Sequence, residues 1–213
     1  MTSVSVGLAT GLYGISFGAL SVAAGLDVWQ TCVLSLLMFS GGSQFAFVGV
    51  IAGGGVAAIP AAIASAWMMG VRNGFYAVAM APILQLRKLQ RVAGAQLTID
   101  ESTAVAISLE KNGTKNMQQG FWYTGIGVFV FWNLFTLAGA LGAQAMGDVR
   151  AFGLDSAVPA AFLGLVWPRL TGNFERALAV GCAIFAIAMT PILPAGLPII
   201  ATAFIAIAVG LKR

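Results

Sequence analysis

The sequence contains no histidine and few charged side chains. Of its 213 residues, 11 are Lys or Arg and 7 are Asp or Glu, which together make 8% of the chain. Without histidine, a Ser-His dyad, a histidine zinc site and a haem-ligating histidine are excluded. A membrane aspartyl dyad needs two facing carboxylates, and the candidates Asp100, Glu101 and Asp155 fall near predicted membrane interfaces. We therefore expect no enzymatic activity, no metal site and no cofactor.

Cysteine is scarce as well, because Cys32 and Cys182 are the only two. Both lie in apolar runs, where a free cysteine behaves as a small hydrophobic residue. We therefore expect neither a disulfide nor a metal ligand from them. The run 53–55 of three glycines lacks the following Lys-Ser/Thr pair of a phosphate-binding loop, and it predicts a turn instead.

Hydrophobic residues, by contrast, make 59% of the chain, and its mean hydropathy is +0.92. No charged residue occurs from position 28 to position 71, although one spanning helix needs only ~20 apolar residues. This composition predicts an all-α, polytopic transmembrane bundle of about six to eight membrane segments, some broken or re-entrant. We expect a single transporter domain over residues 1–213. The four-residue spacings within Gly7, Gly11, Gly14 and Gly18 predict close helix packing.

A polar interruption inside the apolar segment 28–52 is the strongest candidate for a binding site. Two adjacent glycines flanked by polar residues are poor material for an unbroken helix. A broken helix persists in lipid only where it is buried in protein or lines a cavity. Its exposed N–H groups attract a carboxylate, and the carbonyls of the preceding half-helix attract an ammonium group. The alternative is a glycine-lined packing contact. The predicted substrate-binding residues here are Ser40, Gly41, Gly42, Ser43, Gln44 and Phe45.

Arg72 is the second polar signal, since it falls near the middle of the predicted span 60–84. A guanidinium there should face protein or water and an anionic partner, either a protein carboxylate or the carboxylate of the solute. The alternative is that the span is shifted and Arg72 reaches an interface. Asn73 adjoins Arg72, and Tyr76 would lie one helical turn away on the same face. We include all three in the predicted binding site.

Three carboxylates are candidates for proton coupling: Asp100, Glu101 and Asp155. The first two begin a short predicted helix, 98–111, where Thr98 and Glu101 fit a capping box and Asn112-Gly113 fit a helix stop. Each carboxylate therefore has a structural alternative as a helix-capping residue. The basic loop 87–91 and the C-terminal Lys212-Arg213 are predicted to face the cytoplasm. The side of the N-terminus stays open.

The motifs that carry these residues resemble the AzlC family, the large subunit of bacterial branched-chain amino acid exporters linked to azaleucine resistance. They occur in the family's order and cover roughly residues 11–165. The carrying stretches are YGISFG, FSGGSQFAFVGV, VRNGFYAVAMAP, QLTIDESTAVAI and GLDSAVPAAFLGL. Family members often have Arg-His where this chain has Arg72-Asn73, so a histidine proton relay is not available here.

The resemblance implies export of valine, leucine and isoleucine, with methionine as a further candidate, through the inner membrane. It also implies a small hydrophobic partner subunit of the AzlD type. Combining it with the residues gives a hypothesis for the site. The solute carboxylate binds at Gly41-Gly42-Ser43 with help from Arg72, and Ser40 and Gln44 orient the amino group. Phe45, Phe47 and neighbouring aliphatic residues receive the side chain. A passive channel, a non-transporting scaffold subunit and a transporter of another small zwitterion are the alternatives.

Overall fold

The computed structural model describes residues 2–147, 160, 163–164, 166–167, 170–194 and 197–211. Within these ranges the chain is helical without a β-strand, so the predicted all-α fold is confirmed. Short 3₁₀ helices occur at Gly55–Ala58 and Glu110–Asn112. The α-helices are α1 (Thr2–Ala23), α2 (Val28–Leu37), α3 (Gly41–Gly54), α4 (Ile59–Leu84), α5 (Leu89–Gln96), α6 (Asp100–Ser108), α7 (Thr114–Met146), α8 (Asn173–Met189) and α9 (Leu197–Leu211).

Three stretches of the described chain are long and apolar enough to cross a membrane: Ser3–Ala23, Gly41–Leu84 and Thr114–Met146. Large apolar side chains on the outside of the bundle agree with this, since Trp67 is 73% and Val78 is 74% exposed. Such a surface is unfavourable in water and is normal for helices in lipid. The number of segments that cross stays a prediction.

Helix α1 lies along α7, and its glycines allow the two backbones to approach closely. A Cβ atom on Gly14 would lie 2.5 Å from the carbonyl oxygen of Trp132. One on Gly18 would overlap the carbonyl oxygen of Thr136. The packing role predicted from the glycine spacing is therefore confirmed.

Helices α3 and α4 form an antiparallel hairpin, with α3 ending at Gly54 where the glycine run predicts a turn. The start of α3 therefore meets the middle of α4. A Cβ on Gly42 would contact Met69 and Arg72, and one on Gly70 would lie 3.3 Å from Ser43 Oγ. The hairpin thus brings the glycine pair and Arg72 together.

The helix break lies slightly before the predicted position. Helix α2 ends at Leu37, Ser40 is the N-cap of α3 with φ −157° and ψ 103°, and Gly41 is already helical. The non-helical residues are therefore 38–40, and Gly41 and Gly42 form the first turn of α3. The prediction of a broken helix is confirmed, while its exact position is corrected because the glycines tolerate helical geometry after an extended N-cap.

The predicted capping box between Thr98 and Glu101 is wrong. Helix α6 begins at Asp100 with Ile99 as its N-cap. The Thr98 hydroxyl instead donates to the Gly94 carbonyl at 2.6 Å, and Ser102 Oγ accepts the Ile99 N–H at 3.1 Å. Gly113 has φ +90° after the 3₁₀ turn, so the predicted helix stop is confirmed.

The core lies where α1, α3 and α7 meet. Phe17, Phe45 and Trp132 are at most 4% exposed, and their ring centroids lie 5.8–6.3 Å apart. Helices α8 and α9 pack on each other, and α9 also contacts α4. Cys32 and Cys182 are free. Asp155 and residues 212–213 lie outside the described residues, so the predictions that concern them stay predictions.

Candidate binding site

The first turn of α3 presents its backbone N–H groups to the protein interior. The N–H groups at the start of any helix have no acceptor within that helix, which here applies to Gly41, Gly42 and Ser43. Ser40 Oγ makes no capping bond to this turn, and it accepts instead from Ser43 Oγ at 3.1 Å. The turn therefore keeps the partial positive charge of a helix N-terminus.

Gln44 stabilises the broken segment from behind. Its side-chain amide is fully buried and donates to the carbonyls of Met38 at 2.7 Å and Ser35 at 3.3 Å. Its Oε1 accepts the indole N–H of Trp132 at 2.9 Å. The Met38 carbonyl also accepts the Ser40 N–H at 2.8 Å. Gln44 thus connects the end of α2 to α7, and its polar atoms are directed at protein groups.

Arg72 reaches from α4 to the same turn. A Cβ on Gly42 would lie 3.1 Å from Arg72 Nη2, so the absence of a side chain there makes room for the guanidinium. Nη2 also forms an ion pair of 2.7 Å with Asp100 Oδ2. The side chains are 28% and 36% exposed, respectively. The predicted protein carboxylate for Arg72 is therefore present, on α6.

Helix α6 supplies two carboxylates from its first turn, Asp100 and Glu101. Ser102 fixes this turn by donating to the Leu97 carbonyl at 2.6 Å and accepting the Ile99 N–H. Helix α6 is not one of the candidate spans. Burial raises the pKa of the Glu101 carboxyl above its ordinary value; the nearby Asp100 raises it further, while the Glu101 backbone N–H and Arg72 oppose the shift.

These groups surround one cavity of about 270 Å³. One part of its wall is polar and charged, and the other is apolar and aromatic, contributed mainly by α1, α4, α7 and the break. The polar residues are Thr10, Ser40, Gly41, Gly42, Arg72, Asn73, Asp100 and Glu101, and the apolar or aromatic ones are Tyr13, Phe39, Phe45, Met69, Ile99, Val128, Trp132 and Val166.

Two polar atoms at this cavity have no partner among the described residues. Arg72 Nε and Asn73 Oδ1 are both buried without a hydrogen bond. A buried donor and acceptor left unpaired cost free energy. Both residues line the cavity, but the two atoms themselves are covered by protein, so a polar ligand would reach them only after these side chains shift.

The cavity collects most of the predicted site residues. Ser40, Gly41, Gly42, Phe45, Arg72, Asn73, Asp100 and Glu101 line it. Ser43, Gln44 and Tyr76 do not line it, although Ser43 and Gln44 belong to the same turn. Asp155, the remaining candidate for proton coupling, lies outside the described residues. The separate sequence signals thus converge on one place.

Trp132 and Phe39 are wall residues that the sequence reasoning did not single out. Trp132 lies 88 positions after Gln44, its hydrogen-bond partner, so no local pattern links the two. Phe39 adjoins the predicted interruption, and its ring packs edge-to-face on Phe129 at 5.0 Å. Its place next to the glycines was the one available signal.

Comparison with known families agrees with the motifs. The family described as "AzlC protein" matches residues 5–146, about two thirds of the chain. The chain belongs to the AzlC family. The match includes the break, Arg72 and both carboxylates of α6, so the whole described polar wall of the cavity falls within the AzlC region. Family membership and the long apolar helices together support a membrane transporter.

No curated protein and no solved structure matches the chain.

Proposed function

We propose that this AzlC-family chain is a secondary transporter that exports valine, leucine, isoleucine and similar small apolar amino acids such as methionine. Export would cross the cytoplasmic membrane, with the C-terminus in the cytoplasm and a small AzlD-type subunit as partner. The observation that carries the proposal is the cavity in which Arg72, Asp100 and the first turn of α3 meet beside aromatic rings.

The carboxylate of the solute is assigned to the positive side of the cavity. Arg72 Nε has no partner among the described residues, and the N–H groups of Gly41 and Gly42 have no acceptor within α3. A guanidinium and a helix N-terminus both favour an anion. A carboxylate between them would receive hydrogen bonds from two directions.

The ammonium group of the solute is assigned to Asp100. Asp100 is held by Arg72 through a single nitrogen, Nη2, which leaves acceptor capacity on its carboxylate. An amino acid would then lie with its two charges opposed to those of the Arg72–Asp100 pair. This arrangement favours zwitterions over solutes with one charge, and it agrees with the unpaired Asn73 Oδ1 as a further acceptor.

The apolar side chain of the solute is assigned to Phe39, Phe45 and Trp132. A cavity of roughly 150 Å³ already holds benzene, and the side chains of valine, leucine and isoleucine are smaller than that ring. A cavity of about 270 Å³ therefore has room for such a side chain together with the two charged groups.

Proton coupling is assigned to Glu101, with Asp100 and Asp155 as the other predicted carriers. Glu101 lines the cavity, and burial raises the pKa of its carboxyl. Because this carboxyl keeps its proton to higher pH than an exposed carboxyl does, Glu101 is suited to carry a proton. The chain would then use the proton-motive force, with Glu101 as the group that changes charge.

Valine counterflow into proteoliposomes tests the proposal, with and without a small AzlD-type subunit. Arg72→Gln and Asp100→Asn should each lower counterflow at least about tenfold, since each removes a charged hydrogen-bond partner. Lys115→Gln and Glu110→Gln are the matched controls, because they make the same charge changes at exposed positions outside the cavity. Non-saturable valine flux would indicate a passive channel, and unchanged counterflow in both cavity variants would refute the assigned site.

A further inference from the structure

A second cavity lies where α4 turns into α5, away from the proposed transport site. Its volume is about 540 Å³. Its polar wall includes Arg87, Arg91 and Gln85. Its apolar wall comes from the last turns of α4 and the loop after it, with Ala77, Ala81, Leu84 and Leu86. The cavity therefore has a basic side and an apolar side.

The positive charge at this cavity has no ion-pair partner within the described part of the chain. Arg87, Lys88 and Arg91 occur within five positions. No carboxylate among the described residues forms an ion pair with any of the three. Arg91 uses its Nε to donate to the Leu86 carbonyl at 3.0 Å, which directs its terminal nitrogens without consuming them. Arg87 and Arg91 thus offer free guanidinium donors to an anion.

The backbone holds this basic turn in an unusual conformation. Gln85 and Lys88 are the two non-glycine residues of the described chain with positive φ, at 49° and 46°. Such angles are uncommon for side-chain-bearing residues and persist where the surroundings enforce them. The Arg91–Leu86 bond closes the turn, and Gly94 lacks a side chain where Leu86 packs. The two arginines are therefore presented from a fixed turn.

Helix α5 carries apolar groups beside these charges. Leu89 is 83% and Val92 is 68% exposed on this short helix, which also carries Arg91. A short helix that combines exposed apolar side chains with basic residues is typical of the membrane interface. A basic pocket between helices at that depth is a known way to bind lipid phosphates.

We infer that this cavity binds the phosphate of an anionic glycerophospholipid through Arg87 and Arg91. The apolar wall would receive the start of an acyl chain. Charge complementarity argues for an anion, and the apolar wall with exposed Leu89 and Val92 argues for a lipid rather than a free phosphate ion.

Titration calorimetry on the full-length protein in detergent tests the inference. The probes are dioctanoyl phosphatidylglycerol, dioctanoyl phosphatidylcholine and inorganic phosphate. Wild type should bind the phosphatidylglycerol at least about tenfold more tightly than the other two probes. Arg87→Gln/Arg91→Gln should lower the affinity for phosphatidylglycerol about tenfold or more. Lys111→Gln/Lys115→Gln removes the same charge at exposed positions outside the cavity and should change affinity by less than about twofold.

Other results would overturn the inference. Equal losses in the two double variants would mean diffuse charge attraction, and equal binding of phosphatidylcholine would mean that the basic wall is not used. Inorganic phosphate that binds as tightly as the lipid would mean a site for a free anion. Arg87→Lys/Arg91→Lys retains the charge and should recover part of the affinity. A glutamine variant that does not fold is recognised by its lipid-free melting temperature, and the lysine variant then decides the result.

Discussion

Arg72 lies in an electrostatic setting that one protein carboxylate only partly satisfies. Its guanidinium adjoins the first turn of α3, where a helix N-terminus carries about half a positive charge. Asp100 pairs with Nη2, while Nε stays unpaired within the described chain. Two positive groups that face each other favour an anion between them, which is why the solute carboxylate is assigned there.

Glu101 should make the stability of the protein depend on pH. Because burial raises the pKa of this carboxyl, the native protein binds its proton more tightly than the unfolded chain does. The stability of the native state therefore falls as pH rises from the ordinary carboxyl pKa through the raised one. Glu101→Gln removes this titration, so the melting temperature of the variant should decline less than that of wild type over the same pH range.

The same Glu101→Gln variant should separate binding from coupling. Valine counterflow should continue, because glutamine resembles the protonated acid in shape and charge, whereas accumulation driven by a pH gradient should be lost. Glu110→Gln serves as control, since Glu110 is exposed and outside the cavity. The facing charged groups, Arg72 and Asp100, are unchanged in both variants. Persisting gradient-driven accumulation would transfer the coupling role to Asp100 or Asp155.

Gln44 should behave as a structural residue rather than as a contact of the solute. Gln44→Leu leaves the Trp132 indole N–H without its acceptor and removes one of the two donors to the Met38 carbonyl. We expect a loss of about 1–3 kcal/mol in unfolding free energy, measured by denaturation in detergent. Because Trp132→Phe removes one of the same bonds, the double variant should lose less than the sum of the single losses. Additive losses would contradict the hydrogen bond between Gln44 and Trp132.

Among the helices, the α1–α7 contact depends most on absent side chains. Gly14→Ala would place a Cβ 2.5 Å from the Trp132 carbonyl oxygen, and since this neighbour is backbone, α1 would have to move. We expect a loss of about 1–3 kcal/mol in unfolding free energy. Gly142→Ala is the matched control on α7, because no atom lies within 4 Å of its Cβ position. Equal stability of the two variants would refute the close contact.

Helix positions could be predicted where apolar runs are long, as for α4, whose predicted span 60–84 agrees with Ile59–Leu84. The predicted helix ends are misplaced where a polar group has more than one possible hydrogen-bond partner nearby. Gly41 and Gly42 indicate a break, yet they continue α3 once Ser40 is extended. Thr98 resembles a capping residue, yet its hydroxyl bonds back to Gly94, and such a choice depends on tertiary packing.

The individual residues of the candidate site could be predicted, but their arrangement around one cavity could not. The glycine pair, Arg72 and the Asp100-Glu101 pair each stand out in an apolar sequence because polar groups in lipid need partners. Their meeting depends on the α3–α4 hairpin and on how α6 packs, which no local pattern encodes. The role of Trp132 likewise follows from a contact between distant segments.

Taken together, the chain is an AzlC-family helical bundle with an apolar exterior and one zwitterion-like polar wall inside. The exterior requires lipid as solvent, and the interior pairs one cation and two carboxylates with two helix N-termini, those of α3 and α6. Lipid around the helices and a polar cavity inside together account for the small number of charged residues. They also explain why the charged residues within the matched region concentrate at the cavity and at the helix-connecting turns.

We expect the cavity that holds Arg72 and Asp100 to recognise both charges of an amino acid. Titration calorimetry of the purified protein with L-valine, 3-methylbutanoate and isobutylamine tests it directly, since the latter two each lack one of the charged groups. We expect saturable binding of L-valine and at least about tenfold weaker binding of both analogues. Binding of either analogue as tightly as L-valine would show that the cavity does not recognise both charges.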